Sequence, residues 1–370
     1  MITEGKAKID AGAESKITRK MDVFYNPAMR FNRDVSVLLL GASGMKGMRI
    51  ADPLAASGVR SIRFIRELGK GMVKEVLIND GSPAAVRNIR KNLKLNRVSS
   101  KKALVSNEEA TIFLLKNRPF DYIDLDPFGS PVKFLDAAIR SLSRNGILAV
   151  TATDTAALSG SSPRACLRKY WAVPLRNSMM HELGLRILAR RVQLAAASHE
   201  KALTPAYSVS RLHYMRIFFR CSNRLSDVDT MLKQQKFVVE CKICRAISVV
   251  AAEVNGCASC KSRKVAVAGP LWAGRLWDKK LAAVIARDNQ DEGNSSVLAA
   301  IAKEAGIDAF GFYDTHQLCR SMKSPVPPIN KVISALKKAG YAAERTHLDG
   351  NGIRSNAPHA AFMKILKKLA

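Results

Sequence analysis

The chain has 370 residues, 47% of them hydrophobic and 25% charged, enough for a sizeable core and two domains. No run approaches the roughly 20 apolar residues of a membrane span, and the opening MITEGKAKIDAGAESKITRK lacks the apolar core of a secretory signal, which leaves a cytoplasmic globular protein with no membrane partner. Lysine and arginine number 60 against 31 acids, a formal charge of +29 spread along the chain; an excess of that size points to a polyanionic partner, nucleic acid, bound with release of its counterions.

In chain order, MRIADPLAASG (48–58) reads as a strand entering a loop and VRSIRFIREL (59–68) as a helix. VKEVLIND (73–80) is a strand, and SPAAVRNIRKNLKLN (82–96) a helix opened by Ser82 and Pro83 in capping positions. KALVS (102–106), DYIDLD (121–126) and NGILAVTAT (145–153) follow as strands, the last two separated by the helix VKFLDAAIRSL (132–142). This alternation predicts an α/β fold, a parallel sheet with helices on both faces. RNSMMHELGLRILARRVQLAAA (176–197) is a long helix, and YSVSRLHYMRIFFRC (207–221) a long strand that closes the sheet edge. The composition shifts near SNRLSDVD, which places a domain boundary after residue 225. The smaller domain, 226–370, carries helical patterns at VLAAIAKEAG and INKVISALKKAG and a proline-rich joint at SPVPP.

Four of the seven cysteines are clustered: CKIC (Cys241, Cys244) is followed twelve residues later by CASC (Cys257, Cys260). Two pairs of thiolates at this spacing suit a tetrahedral zinc ion with no open position, a structural ribbon at about 238–263, with Gly256 suited to a knuckle turn. Two disulfides are disfavoured by a reducing cytoplasm. The isolated Cys166, Cys221 and Cys319 read as core residues.

Ligands of such sheets sit at the carboxyl ends of the strands. There the first strand delivers Asp52 and the second Asp80, the latter 22 residues after Gly58, near the spacing at which an acid meets the ribose of a nucleoside cofactor. The loop lacks the G-x-G-x-x-G that admits a pyrophosphate. A cofactor with adenosine, no phosphates and a cationic centre fits better, as S-adenosylmethionine does. GASGMKG (41–47) lacks the order of a phosphate loop and reads as a surface turn; HELGL lacks a second histidine at Leu185, and none of the six histidines has a visible partner. DPFG (126–129) then sets an oxygen acceptor, Asp126, beside an aromatic, Phe128. The exocyclic amine of a nucleobase is a poor nucleophile because its lone pair is conjugated into the ring; an acceptor for its hydrogens favours attack on a methyl, and an aromatic stacks on the extruded base. Pro127 stiffens the turn and Gly129 permits close approach.

FYNPAMRFNRD, DPLAASGVRSIRF, IDLDPFGSPVKFLDAAIRSL, GILAVTATDTAALSG, RACLRKY, GPLWAG, FYDTH and GIRSNAP, in this order, resemble the motifs of the tRNA (guanine-26 N2)-dimethyltransferases, in their compact archaeal form. The resemblance implies a Rossmann-like methyltransferase domain (1–225), a smaller α+β tRNA-binding domain containing the zinc ribbon (226–370), and two methyl transfers from S-adenosylmethionine to the amino nitrogen of guanine 26 of tRNA. It implies cofactor contacts at Arg33, Arg60, Asp80, Glu109 and Ala110, with Asp126 as amine acceptor and Phe24 and Phe128 around the base. Asp52 has no family role, although its place beside the cofactor's amino-acid end is physically sensible. The family usually has Asp-Ala at Glu109-Ala110, and A-P-L-C-G where this chain has AALSG (156–160). No obligate protein partner is expected. The alternatives are an amino-methyltransferase acting on another RNA or on DNA, and a non-enzymatic zinc-ribbon RNA-binding protein; retention of Asp80 and Asp126 weighs against the second, and FYDTH and GIRSNAP against the first.

Overall fold

The computed structural model describes residues 1–10, 24–252, 254 and 256–370. They form two compact units, one of residues 1–152, 195–204 and 218–228, the other of residues 153–194, 205–217 and 229–370.

The first unit begins with a hairpin of β1 (Ile2–Glu4) and β2 (Ala7–Ile9), then α1 (Arg30–Ala42). Strands β3 (Met48–Asp52), β4 (Val73–Asn79), β5 (Ala103–Ser106), β6 (Phe120–Leu125) and β7 (Leu142–Ala152) alternate with α2 (Val59–Glu67), α3 (Pro83–Leu95), α4 (Ala110–Asn117) and α5 (Leu135–Ser141). Their pairings are parallel. Beyond them the chain passes through the second unit, with α6 (Thr155–Leu158), α7 (Pro163–Tyr170) and most of α8 (Met180–Ala197), before β8 (Ala202–Arg211) and β9 (Tyr214–Ser222). The seven-stranded sheet has the order β5-β4-β3-β6-β7-β9-β8, and the division between units falls within α8, β8 and β9.

Local chemistry explains most of these elements. Ser82 opens α3 by accepting the Ala85 amide at 3.4 Å, Pro83 supplies the preset φ, and Ala85, Val86, Ile89 and Leu93 form the buried stripe. β6 is buried from Tyr122 to Leu125, as a central parallel strand covered on both faces must be. The long strand expected over 207–221 is instead a hairpin. The chain reverses at Leu212 and His213, with Leu212 in the left-handed region at φ +51°, so both arms lie in the sheet. No glycine, proline or asparagine marks that turn, which hid it from a reading of composition.

In the second unit α9 (Leu225–Lys233), which begins in the first, leads to an antiparallel sheet of β10 (Gln235–Cys241), β11 (Ile247–Val250) and β12 (Val265–Trp272), ordered β11-β10-β12. Helices α10 (Lys279–Asp288) and α11 (Glu292–Glu304) follow, then β13 (Tyr313–Asp314), α12 (Thr315–Met322), α13 (Ile329–Lys338), β14 (Ala343–Arg345), β15 (Gly352–Ser355) and α14 (His359–Leu369). Leu318, Val332, Leu336, Ile353, Phe362 and Leu366 make one core there.

A second buried cluster in this unit is ionic. Arg354 reaches Glu182 at 2.6 Å and Glu304 at 3.0 Å, and also donates to the Gly311 carbonyl at 2.9 Å; both carboxylates are fully buried. Glu304 also holds His347, and in the first unit His199 lies 2.6 Å from Asp136, so two histidines do have carboxylate partners, in structural positions. Arg354→Ala should destabilise the protein by about 3–5 kcal/mol, because it removes the cation shared by two buried carboxylates and leaves Arg186 and His347 as the remaining ionic partners of Glu182 and Glu304. Denaturant unfolding checks this, and a loss below about 1 kcal/mol would contradict it.

Candidate active site and metal centre

The three acids expected at strand ends stand on neighbouring strands: Asp80 follows β4, Asp52 ends β3 and Asp126 follows β6. Between β3 and α2 the chain turns through Gly58 at φ +74°, where an added Cβ would also press on Ile89 at 3.3 Å. That turn starts α2 at Val59 and sends Arg60 inward.

Arg60 is the hub. It donates to Asn32 at 2.9 Å and Ser36 at 2.8 Å, lies 3.3 Å from Asp124, and makes a direct ion pair with Oδ2 of Asp126. Oδ1 of Asp126 makes no hydrogen bond among the described residues, and the side chain is 20% exposed. The guanidinium thus fixes one carboxylate oxygen of Asp126 and leaves the other unengaged among the described residues. The resemblance placed Arg60 on the cofactor; here its terminal donors are committed to side chains.

Asp52 is buried, with Oδ2 accepting from Ser61 at 2.7 Å. Burial, and then the charge of Asp124, push its carboxyl up to about 7 against the opposing pull of Ser61 and Arg60. Asp80 accepts the Ala56 and Ser82 amides, both at 2.8 Å, one on each carboxylate oxygen, so it ties two loops together. Glu109 turns its carboxylate onto α4, accepting the Thr111 and Ile112 amides at 2.7 and 3.1 Å, with Ala110 buried as the first helical residue. Arg33 is gripped by Glu4 at 2.7 and 2.5 Å, and its Nη1 makes no hydrogen bond among the described residues. Burial would raise the Glu4 carboxyl, but Arg33 and Arg63 outweigh it and hold it at about 2. Phe24 and Phe128 meet edge to face with centroids 4.5 Å apart, and Phe128 is 50% exposed.

Two residues that support the site escaped the sequence reading. Asn79 donates to the carbonyls of Pro53 and Glu108 at 3.1 and 3.0 Å and accepts the Glu108 amide at 2.9 Å, stitching together the loops after β3, β4 and β5. Its signal was a polar residue at the buried end of an apolar strand. Glu4 had no such signal, because its partners lie 29 and 59 residues away.

In the second unit the ligand sulfurs of Cys241, Cys244, Cys257 and Cys260 all lie within 4.8 Å of one another, with Cys241 to Cys260 at 3.5 Å and Cys244 to Cys257 at 3.6 Å. Tetrahedral zinc with bonds of about 2.3 Å sets its sulfurs about 3.8 Å apart, so the donor set fits. The Cys244 and Cys260 amides point at Sγ of Cys241 and Cys257, both at 3.5 Å. The left-handed positions are Arg245 and Lys261, both at φ +61°, one after each pair, and not Gly256.

A sheet with a parallel core, acids at three adjacent strand ends, no pyrophosphate loop and a carboxylate close in sequence to the exposed Phe128 defines a Rossmann-like methyltransferase. The family model described as N2,N2-dimethylguanosine tRNA methyltransferase matches residues 5–367, and the chain belongs to that family. It is 37% identical to the tRNA (guanine(26)-N(2)/guanine(27)-N(2))-dimethyltransferase of Aquifex aeolicus, over 100% of this chain and 96% of that protein. It is also 37% identical to the tRNA (guanine(26)-N(2))-dimethyltransferase of Methanothermobacter thermautotrophicus, over 100% of this chain and 98% of that one. The solved complex of Trm1 from Pyrococcus horikoshii with S-adenosyl-L-methionine superposes with a TM-score of 0.87 at 33% identity, covering 99% of both chains.

Proposed function

We propose that this protein transfers two methyl groups from S-adenosylmethionine to the amino nitrogen of guanine 26 in tRNA, giving N2,N2-dimethylguanosine, in the cytoplasm. The observation that carries this reading is the full-length similarity to proteins named for that reaction. When bound, S-adenosylmethionine supplies a sulfonium-activated methyl. Phe24 and Phe128 clasp the extruded guanine, and Oδ1 of Asp126 accepts an N–H of its amine, turning the lone pair toward the methyl. As the N–C bond forms and the C–S bond breaks, S-adenosylhomocysteine would be released, and the proton lost by the nitrogen would pass to Oδ1 of Asp126 and from there to water. Arg60 orients Asp126; Asp80, Ala110 and Glu109 surround the nucleoside, with Glu109 having to leave its helix cap to reach it. Nη1 of Arg33 takes the cofactor's carboxylate and Asp52 its amino group. Residues 226–370, with the ribbon, hold the tRNA. Unmodified tRNA incubated with labelled S-adenosylmethionine and digested to nucleosides should yield N2,N2-dimethylguanosine; label recovered only in other nucleosides would overturn the reading.

Asp52 makes cofactor binding depend on pH. An acid raised to about 7 in the folded protein stays protonated above its ordinary value of 3.8, and ionising it beside the cofactor's ammonium costs a proton. Affinity should therefore climb, by up to about tenfold per pH unit, from pH 5.5 toward 7 and then level off. The same shift means that Asp52 lowers stability as pH rises between about 4 and 7. Asp52→Asn should flatten the affinity profile in calorimetric titrations; an unchanged slope would remove Asp52 from the cofactor site.

A further inference from the structure

The second unit displays an aromatic residue that the reaction does not use. Trp171 follows α7 directly and is 55% exposed, whereas the other two tryptophans, Trp272 and Trp277, are 5% and 6% exposed. It occupies the left-handed region at φ +54°, ψ +42°, its amide closing the helix on the Leu167 carbonyl at 3.1 Å. Glycine is the favoured residue at such a helix end, and a bulky side chain there is strained. A strained backbone and an exposed indole both run against stability.

The surroundings hold the indole rather than hide it. Asp154 ties down the end of α7 through the Tyr170 hydroxyl at 2.6 Å and Lys169 at 3.0 Å, and Arg190 donates to the Trp171 carbonyl at 3.2 Å. Arg191 lies over the ring, 4.2 Å from its centroid. Arg164 and Arg168 stand exposed on α7. Among the described residues no carboxylate pairs with any of these four arginines. A presented aromatic ring set in unneutralised arginines matches the chemistry of an unpaired nucleobase and its flanking phosphates.

We propose that Trp171 is a stacking platform for an unpaired base of the tRNA, with Arg164, Arg168 and Arg190 taking adjacent phosphates. The inference rests on the reading of the chain as a tRNA methyltransferase and adds a second point of base contact to that of the reacting guanine. Trp171→Gly relieves the left-handed strain while deleting the ring. Melting temperature and cofactor affinity should hardly move, but tRNA should bind about 5- to 150-fold more weakly, the range given by one base–aromatic stack. Trp171→Phe, which retains a stacking face, should recover most of that loss. Added tRNA should quench the tryptophan fluorescence of the native protein and much less that of Trp171→Phe, a measurement that stands even if the glycine variant fails to fold. Native-like tRNA affinity in Trp171→Gly, or equal quenching in both proteins, would overturn the platform while leaving the methyltransferase reading intact. A native protein that neither binds nor methylates tRNA would remove both.

Discussion

Asp126→Ala should lower single-turnover methyl transfer about 100-fold or more at saturating tRNA while cofactor and tRNA still bind. In the proposed mechanism the loss falls on chemistry, because Oδ1 of Asp126 is the oxygen assigned to the amine, Oδ2 being held by Arg60 and Oδ1 unengaged among the described residues. Phe128→Ala should behave differently. Lost stacking of roughly 1 to 3 kcal/mol weakens capture of the base, so its residual rate should exceed that of Asp126→Ala once tRNA saturates. Asp126→Asn, a neutral and weaker acceptor, should be impaired in both methylations, since after the first the amine keeps only one hydrogen. Near-native transfer by Asp126→Ala would reduce the residue to a turn former.

The other large effect concerns the metal. The purified protein should carry one zinc per chain, and Cys257→Ser or strong chelation should release it. Structural zinc supplies about 10–16 kcal/mol of apparent binding free energy to small ribbons, and here few other residues make the local core: Ala246 and Val265 accompany the cysteines. Losing the ion should therefore unfold the segment around β10 to β12, seen as faster proteolysis there. Metal analysis of freshly purified, reduced protein that finds no zinc would contradict the assignment.

What could be read in the sequence was what depends on near neighbours. The parallel strands, the Ser82 cap, the four cysteines and the strand-end acids all follow from periodicity and spacing within a few dozen residues. The β8–β9 turn was missed because Leu212 adopts a left-handed conformation that its side chain gives no reason to expect. The role of Arg60 could not be read either. The family resemblance implies a cofactor contact for it, and only folding brings it to Asp126, 66 residues away, and to Asn32, 28 residues before it. Glu109 shows the converse: its helix-capping use is local, but α4 itself was not recognised, so the cap had nothing to announce.

The most direct test of the account is the position and number of methyl groups on one tRNA. With excess S-adenosylmethionine, unmodified tRNA should gain two methyls on the amino nitrogen of guanine 26, and a transcript carrying adenine at 26 should gain none there. Guanine 26 left unmodified by active, zinc-loaded protein, with methyl groups appearing elsewhere in the tRNA, would contradict it.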